Sequence, residues 1–255
     1  MNLKNARVLI SNDDGIGAPG LKTLERAIKP LVKEVWMVGP ETEQSATSHS
    51  LTLRRPLRIR KISKQRYGVD GTPTDSVLLG ISEVMKECRP DIVLTGINKG
   101  GNLGEDVIYS GTVAAAMEGA LLGIRSIAFS QVYSDTRTVH WATAEHWLPV
   151  VIKQLWKIDL PSNVFLNVNF PAVKPKAVTG IEITRQGRRK IGGDLTPGTD
   201  PRGAKYYWIG PQRVEDRIAK GTDLEAVLRG AISITPLSTD LTHNASLKKL
   251  KATLK

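Results

Sequence analysis

Val8-Leu9-Ile10-Ser11-Asn12-Asp13-Asp14-Gly15 is an apolar, largely β-branched run that stops abruptly in Asn-Asp-Asp-Gly. Such a run reads as a buried strand delivering carboxylates to a turn. In open α/β sheets, ligands bind at the carboxyl ends of the strands. Two adjacent carboxylates repel each other unless a cation lies between them. Asp13 and Asp14 therefore point to a hard divalent metal with oxygen ligands. The plain alternative is an Asx-turn, in which Asp-Gly closes the strand and bonds only its own backbone.

Outward from this segment, strand and helix patterns alternate. Arg7 to Ile10, Val35 to Val38, Leu57 to Ile62, Asp91 to Thr95, Ser126 to Ser130, Val164 to Phe170 and Ile232 to Thr235 read as strands. Leu21 to Ile28, Thr112 to Leu122 and His140 to Trp156 read as helices. Thr72-Pro73-Thr74-Asp75 is a strong helix start, with an N-cap Thr, Pro at the first position and an acid at the third; that helix is expected to reach Glu87. The alternation predicts an α/β fold with a largely parallel sheet covered on both faces, a three-layer α/β/α arrangement. From Arg185 to Gln212 the pattern breaks into Gly, Pro and Arg, then Tyr206-Tyr207-Trp208. This stretch reads as a protruding β-arm or long loop on a single domain spanning residues 1–255.

Composition narrows the class. The 255 residues are 40% hydrophobic and 24% charged, which is ordinary globular material. Cys88 is the only cysteine, so an intrachain disulfide is impossible and a reducing compartment fits. Residues 1–5 leave no room for a signal-peptide apolar region before the first strand. No apolar stretch approaches the roughly 18 residues of a membrane span. The expectation is a soluble cytoplasmic protein. The net charge of +11 suits either a polyanion partner or steering of a phosphorylated substrate. The basic clusters lack interleaved aromatics, and no helix-turn-helix or zinc-finger spacing occurs, so nucleic acid is disfavoured as the partner.

Three more segments carry candidate chemistry. Residues 40–50 form a hydroxyl-rich loop after a strand, able to supply a neutral oxygen ligand or simply to be solvated. Gly96 to Gly104 follows another strand and combines glycines, which allow close approach to a ligand, with Asn98, Lys99 and Asn102. Ser110-Gly111-Thr112 opens a helix, which makes an anion site suited to phosphate or, more plainly, an N-cap by Ser110. Other chemistries are absent: there is no Walker P-loop, no dinucleotide fingerprint and no nucleophile elbow. Asn12 stands where an aspartyl-phosphate enzyme would need its nucleophilic Asp. The four histidines, at 49, 140, 146 and 243, lack zinc-ligand spacing.

Taken together, these segments resemble the SurE family of metal-dependent nucleoside monophosphate phosphatases. The stretches that match are SNDDGIGAPG at 11–20, ETEQSATSHSLTL at 41–53, GTPTD at 71–75, RPDIVLTGINKGGNLGEDVIYSGTVAAAMEG at 89–119 and FLNVNFP at 165–171. The resemblance covers almost the whole chain and is weakest from about 185 to 255. It implies a Rossmann-like fold and metal ligands at Asp13, Asp14, Ser45 and Asn98. It also implies phosphate contacts at Asn102, Ser110, Gly111 and Thr112, and assembly into dimers or tetramers through C-terminal segments. Some neighbours depart: Gly17 replaces a frequent His, Ala46 a frequent Gly, and Ser76 a common Cys. Asp240-Leu241-Thr242-His243 is one residue short of the family pattern, so no role passes to His243.

The all-oxygen set suits one Mg²⁺ or Mn²⁺ per subunit. Asp13 and Asp14 are the candidate catalytic residues. The expected activity is hydrolysis of nucleoside 5′-monophosphates, and of 3′-monophosphates as well. The rival readings are a non-catalytic nucleotide-binding regulator and a polyanion binder.

Overall fold

The computed structural model describes residues 2–133, 138–189, 195–209 and 218–254. In chain order the elements are β1 (Arg7–Ser11), α1 (Pro19–Ile28), β2 (Glu34–Pro40), β3 (Ile59–Ser63), β4 (Arg66–Val69), α2 (Pro73–Leu79), β5 (Ile92–Lys99) and α3 (Asp106–Tyr109). They continue with α4 (Gly111–Leu121), β6 (Ser126–Gln131), α5 (Trp141–Leu155), β7 (Val164–Phe170) and β8 (Ile181–Ile183). The last are β9 (Leu195–Thr199), β10 (Lys205–Ile209), α6 (Asp223–Leu228), β11 (Ile232–Ser238) and α7 (Asn244–Thr253).

Nine strands form one sheet in the order β3-β4-β2-β1-β5-β6-β7-β11-β8. The run from β4 to β7 is parallel throughout. Antiparallel pairs occur only toward the margins, β3 with β4 and β7 with β11. β1 sits between β2 and β5, so successive connections leave it in opposite directions. That is a topological switch point, where a crevice opens at the strands' carboxyl ends.

The alternation within β1 divides the core. Val8 and Ile10 pack with α1 and α5 through Leu21, Leu24, Leu148 and Ile152, all buried. Leu9 points to the other face and packs with Val77 of α2 and Ala115 of α4. A strand buried on both faces reads as a continuous apolar run, as β1 does. The three layers expected from the sequence are thus present.

Several boundaries differ from the sequence reading. The capping box at Thr72 is formed: the Asp75 amide donates to the Thr72 hydroxyl at 3.1 Å and the Thr72 amide to the Asp75 carboxylate at 2.9 Å. The α-helix nevertheless ends at Leu79 and passes into a π-helical turn, Gly80–Val84, short of Glu87. There the Met85 amide donates to the Gly80 carbonyl, a five-residue span. β5 runs to Lys99, so Gly96 to Lys99 belong to the strand and not to a loop after it. The short elements β4, β8, α3 and α6 and the terminal α7 have too few periodic apolar positions to stand out in the sequence.

The arm expected over 185–212 divides in two. β9 and β10 form a separate two-stranded antiparallel ribbon. Residues 185–189 instead lie on the body of the domain, joined to it by an Arg185–Thr222 bridge at the start of α6. The rest of the expected arm, 190–194 and 210–212, lies outside the described residues.

Candidate active site

Asp13 follows the end of β1 and is 4% exposed. Its carboxylate accepts a hydrogen bond from the Thr112 hydroxyl on the first turn of α4. Gly111 makes this approach possible. A Cβ there would stand 2.8 Å from Asp13 Cβ and 3.0 Å from Pro73 Cγ. The missing side chain lets the N-terminus of α4 sit directly on Asp13, which places the positive end of the helix dipole beside a carboxylate.

Asp14 is half-buried and accepts from the Lys99 amide at 3.4 Å, a long bond at the end of β5. Burial pushes the Asp13 carboxyl up to about 6 against the lowering effect of the Thr112 bond, and negative Asp14 adds to the rise. Burial likewise raises Asp14; the Lys99 amide opposes it and Glu43 reinforces it. Two neighbouring carboxyls strained toward protonation are what a cation would relieve.

The hydroxyl-rich loop after β2 is tied to this point. The Gln44 amide donates to the Asp13 carbonyl at 2.8 Å, and the Ser48 hydroxyl to the Ile108 carbonyl at 2.7 Å. His49 pairs with the mostly buried Glu118 of α4 at 2.9 Å. Ser45 donates to Glu43 at 2.8 Å at the exposed edge of the loop. Asn98 uses its NH₂ on the Gly100 carbonyl at 3.0 Å, leaving the amide oxygen as its available ligand atom.

Asp13, Asp14, Ser45, Asn98, Asn102 and Ser110 line one cavity of about 370 Å³, together with Glu43, Lys99, Asp106, Tyr109, Tyr133 and Arg189. Among the described residues, four carboxylates face it against two cationic side chains. Gly111 and Thr112 stand behind Asp13 instead of on the wall: Thr112 is fully buried with its hydroxyl committed. Ser110 acts as the N-cap of α4, accepting from the Val113 amide at 3.1 Å. A second hollow of about 480 Å³ shares Asp14 and Lys99 and is walled by Pro19, Val139 and Trp141.

The glycine-rich loop is held from beneath by buried amides. The Asn102 amide donates to Asn169 at 2.8 Å, and its carbonyl accepts from Asn167 at 2.8 Å and Asn169 at 3.1 Å. The Asn102 side chain donates to Ser130 at 2.8 Å. Asn167 and Asn169 escaped the sequence reading, although their two-residue spacing in an apolar strand marks one polar face. Arg189 and Asp106 escaped it too, because nothing in the sequence joins residue 189 to residue 106.

A profile of the family described as "Survival protein SurE" matches residues 8–193. The chain belongs to the SurE family. A protein of Paramagnetospirillum magneticum named 5′-nucleotidase SurE is 62% identical over 245 residues, which is 96% of this chain and 94% of that protein. A 5′-nucleotidase SurE of Rhodospirillum rubrum is 50% identical over 252 residues, 98% and 96% of the two chains. The crystal structure of the SurE protein from Aquifex aeolicus superposes with a TM-score of 0.86 at 40% identity, covering 98% of this chain and all of that one. The fold is therefore that of a SurE protein. Ala46 has a φ of 59°, the left-handed conformation that glycine adopts freely. Gly17 has nothing within 4 Å of where a Cβ would be, so a larger side chain would meet open space there.

Proposed function

We propose that the chain hydrolyses nucleoside 5′-monophosphates to nucleoside and inorganic phosphate, with a divalent metal held by Asp13, Asp14, Ser45 and Asn98. The phosphomonoesterase activity follows from relatives named 5′-nucleotidase that align along nearly the whole chain. The observation that supports the metal is the pair of carboxyls at the switch point, both raised by burial and facing a cavity with an excess of acid. Among the described residues no group of three or more His, Cys, Asp or Glu is placed to hold a metal. The centre therefore rests on two carboxylates completed by a hydroxyl and an amide, a hard-oxygen set suited to Mg²⁺ or Mn²⁺.

When bound, such an ion supplies Lewis-acid polarisation of the phosphoryl group and lowers the pKa of a coordinated water. The chain's own residues do the rest. Thr112 holds Asp13 in one orientation, so Thr112 acts through Asp13 and not on phosphate directly. Asn102, fixed by Asn167, Asn169 and Ser130, presents the glycine-rich loop to the phosphoryl oxygens. The N-terminus of α4 places its dipole beside the same point. Tyr109 and Tyr133 at one mouth of the crevice and Trp141 at the other offer ring faces for a nucleobase.

No helix among the described residues is long and apolar enough to cross a membrane. With a single cysteine, we place the protein in the cytoplasm, as one domain with a projecting ribbon that reaches a second copy of the chain. Nothing supports the non-catalytic reading. The basic cluster at 54–61 is partly neutralised by Arg55 and Arg58 facing Asp70 and by Arg60 bonded to Glu41 at 2.6 Å, which weakens the case for a polyanion partner.

The test is release of inorganic phosphate from AMP in Mn²⁺ or Mg²⁺, with and without chelator, against inositol and sugar phosphates as comparison substrates. Turnover that survives exhaustive chelation would remove the metal from the reading.

A further inference from the structure

We propose that Arg189 is a substrate-binding residue whose guanidinium grips the phosphoryl oxygens opposite the Asp13–Asp14 pair. This deepens the phosphomonoesterase reading and rests on it for the identity of the anion.

The inference begins with how residue 189 reaches the cavity. Residues 184–189 form a strap laid over the glycine-rich loop. The Thr184 amide donates to the Ile234 carbonyl at 2.9 Å, and the Arg185 amide to the Gly221 carbonyl at 3.0 Å. Gln186 donates to the Gly104 carbonyl at 3.0 Å. Asp223, fully buried at the start of α6, accepts the Gly104 amide at 2.9 Å and the Gly187 amide at 2.8 Å. One carboxylate thus pins loop and strap together. At Gly104, whose φ is +56°, a Cβ would lie 3.0 Å from the Arg189 amide. The Arg189 amide itself donates to Glu105. The strap's position is thus held by backbone and Asp223 bonds that do not involve the Arg189 side chain.

The side chain then does something that costs free energy. It is four-fifths buried, lines the cavity and bonds the buried Asp106, whose carboxylate also accepts the Leu103 amide at 3.1 Å. A buried ion pair is weak evidence for stability by itself, and ordering a long arginine has an entropic cost. Its Nε is buried with no acceptor among the described residues. An orphaned N–H in a folded interior calls for a ligand or a water. Guanidinium has five donors in a planar fork. One nitrogen on Asp106 aims the group, and the others remain for a planar or tetrahedral oxyanion. Lys99, the other cation on the wall among the described residues, is exposed and lacks this geometry.

The experiment uses the full-length protein. Inorganic phosphate is titrated calorimetrically in the presence of Mg²⁺, and KM and kcat are measured with AMP. Arg189→Gln is expected to weaken phosphate binding and raise KM by at least about tenfold, with Mg²⁺ affinity changed less than about threefold. Arg189→Lys should recover only part of the loss, because ammonium lacks the fork. Arg189→Gln removes one partner of the buried Asp106, so Arg189→Gln/Asp106→Asn serves as the second variant. It should fold as the parent does and still bind phosphate weakly. Phosphate binding equal to the parent's in folded Arg189→Gln overturns the proposal. So does full recovery in the double variant, which would reduce Arg189 to a counter-ion for Asp106, and so does a parent that binds no phosphate. A parent that binds phosphate through Arg189 yet hydrolyses no nucleotide sinks the nucleotidase reading and leaves Arg189 standing. Nucleotide hydrolysis with KM and phosphate affinity both unaffected by Arg189→Gln does the reverse.

Discussion

Two regions of the chain look alike in composition and behave oppositely in space. The glycine-rich segment from Gly96 to Gly104, which ends β5 and enters the loop after it, and the β9–β10 ribbon are both short of aliphatic residues and rich in glycine or polar groups. Its end from Asn102 to Gly104 is buried and cross-braced, with Asn102 at 6% exposure and its backbone amide and carbonyl both bonded to asparagines of β7. The ribbon carries large apolar side chains and leaves them in solvent: Tyr207 is 60% exposed, Trp208 69% and Ile209 73%. Among the described residues its bonds are those of its own ladder and of the turn at Asp200, with the Tyr206 ring lying across Gly198. Polarity does not decide burial when every polar atom finds a partner. A lone ribbon of two strands is marginal in water, and its aromatics need a second surface.

The sharpest way to break this contrast is at the buried edge. Asp14→Asn should cut kcat/KM by at least about a hundredfold while the fold survives, because one of two metal-facing charges is removed. Circular dichroism and phosphate release measured side by side check both halves of that statement.

A pH experiment probes the same edge without substrate. Asp13 stands at about 6 against an ordinary value of 3.8, so the metal-free folded state holds this proton more tightly than the unfolded chain does. Its stabilising contribution is complete below the unfolded value and is lost as pH rises to about 6, on the order of 3 kcal/mol in all. Asp70 and Asp240, which sit below their usual range, tilt the other way. The informative quantity is therefore the parent's Tm minus that of Asp13→Asn, measured without metal from pH 4 to 7. A difference that stays flat across that range would show Asp13 to be unperturbed. Mn²⁺ should raise the parent's Tm more at pH 7 than at pH 5.

Thr112→Val keeps the shape of the helix start but removes the hydroxyl bonded to Asp13. The expected loss in kcat/KM is about 1–2 kcal/mol, with phosphate affinity less affected than turnover. A larger effect on phosphate inhibition than on kcat would return Thr112 to direct phosphate contact.

The ribbon should respond differently. Replacing residues 195–209 by a Gly-Ser bridge, which spares the strap at 185–189, is expected to lower particle mass in light scattering while leaving most of the activity. Wholesale loss of turnover would mean that the ribbon completes a site. Ala46→Gly is the gentlest change: relief of a left-handed alanine should stabilise the hydroxyl-rich loop by about 1 kcal/mol, read as a small rise in Tm.

Much of this was legible in the chain. The strand Val164 to Phe170 coincides with β7, and the Thr72 capping box forms as its residue types require. Local chemistry decides both, so a short window suffices. Asp13 and Asp14 are legible as candidates because they follow an apolar run, and parallel strands bring their carboxyl ends to one edge; Ser45 and Asn98 enter as candidate ligands only through the family resemblance. Thr112 was readable as a helix start, but its partner was not. Its hydroxyl points inward to Asp13 because Gly111 lets the helix close on β1, a contact spanning 99 residues.

The β-branched runs, the caps and the alternation of strand with helix determined that this chain builds a covered parallel sheet with aspartates at its edge, because those signals act over a few residues. Only the tertiary structure decided that Asp223 would clamp the strap, that Arg189 would turn toward the crevice and that Tyr207 and Trp208 would not. These outcomes depend on which backbone amides meet which carboxylates across 36 to 119 residues of chain, a matter of long-range closure that no local pattern encodes.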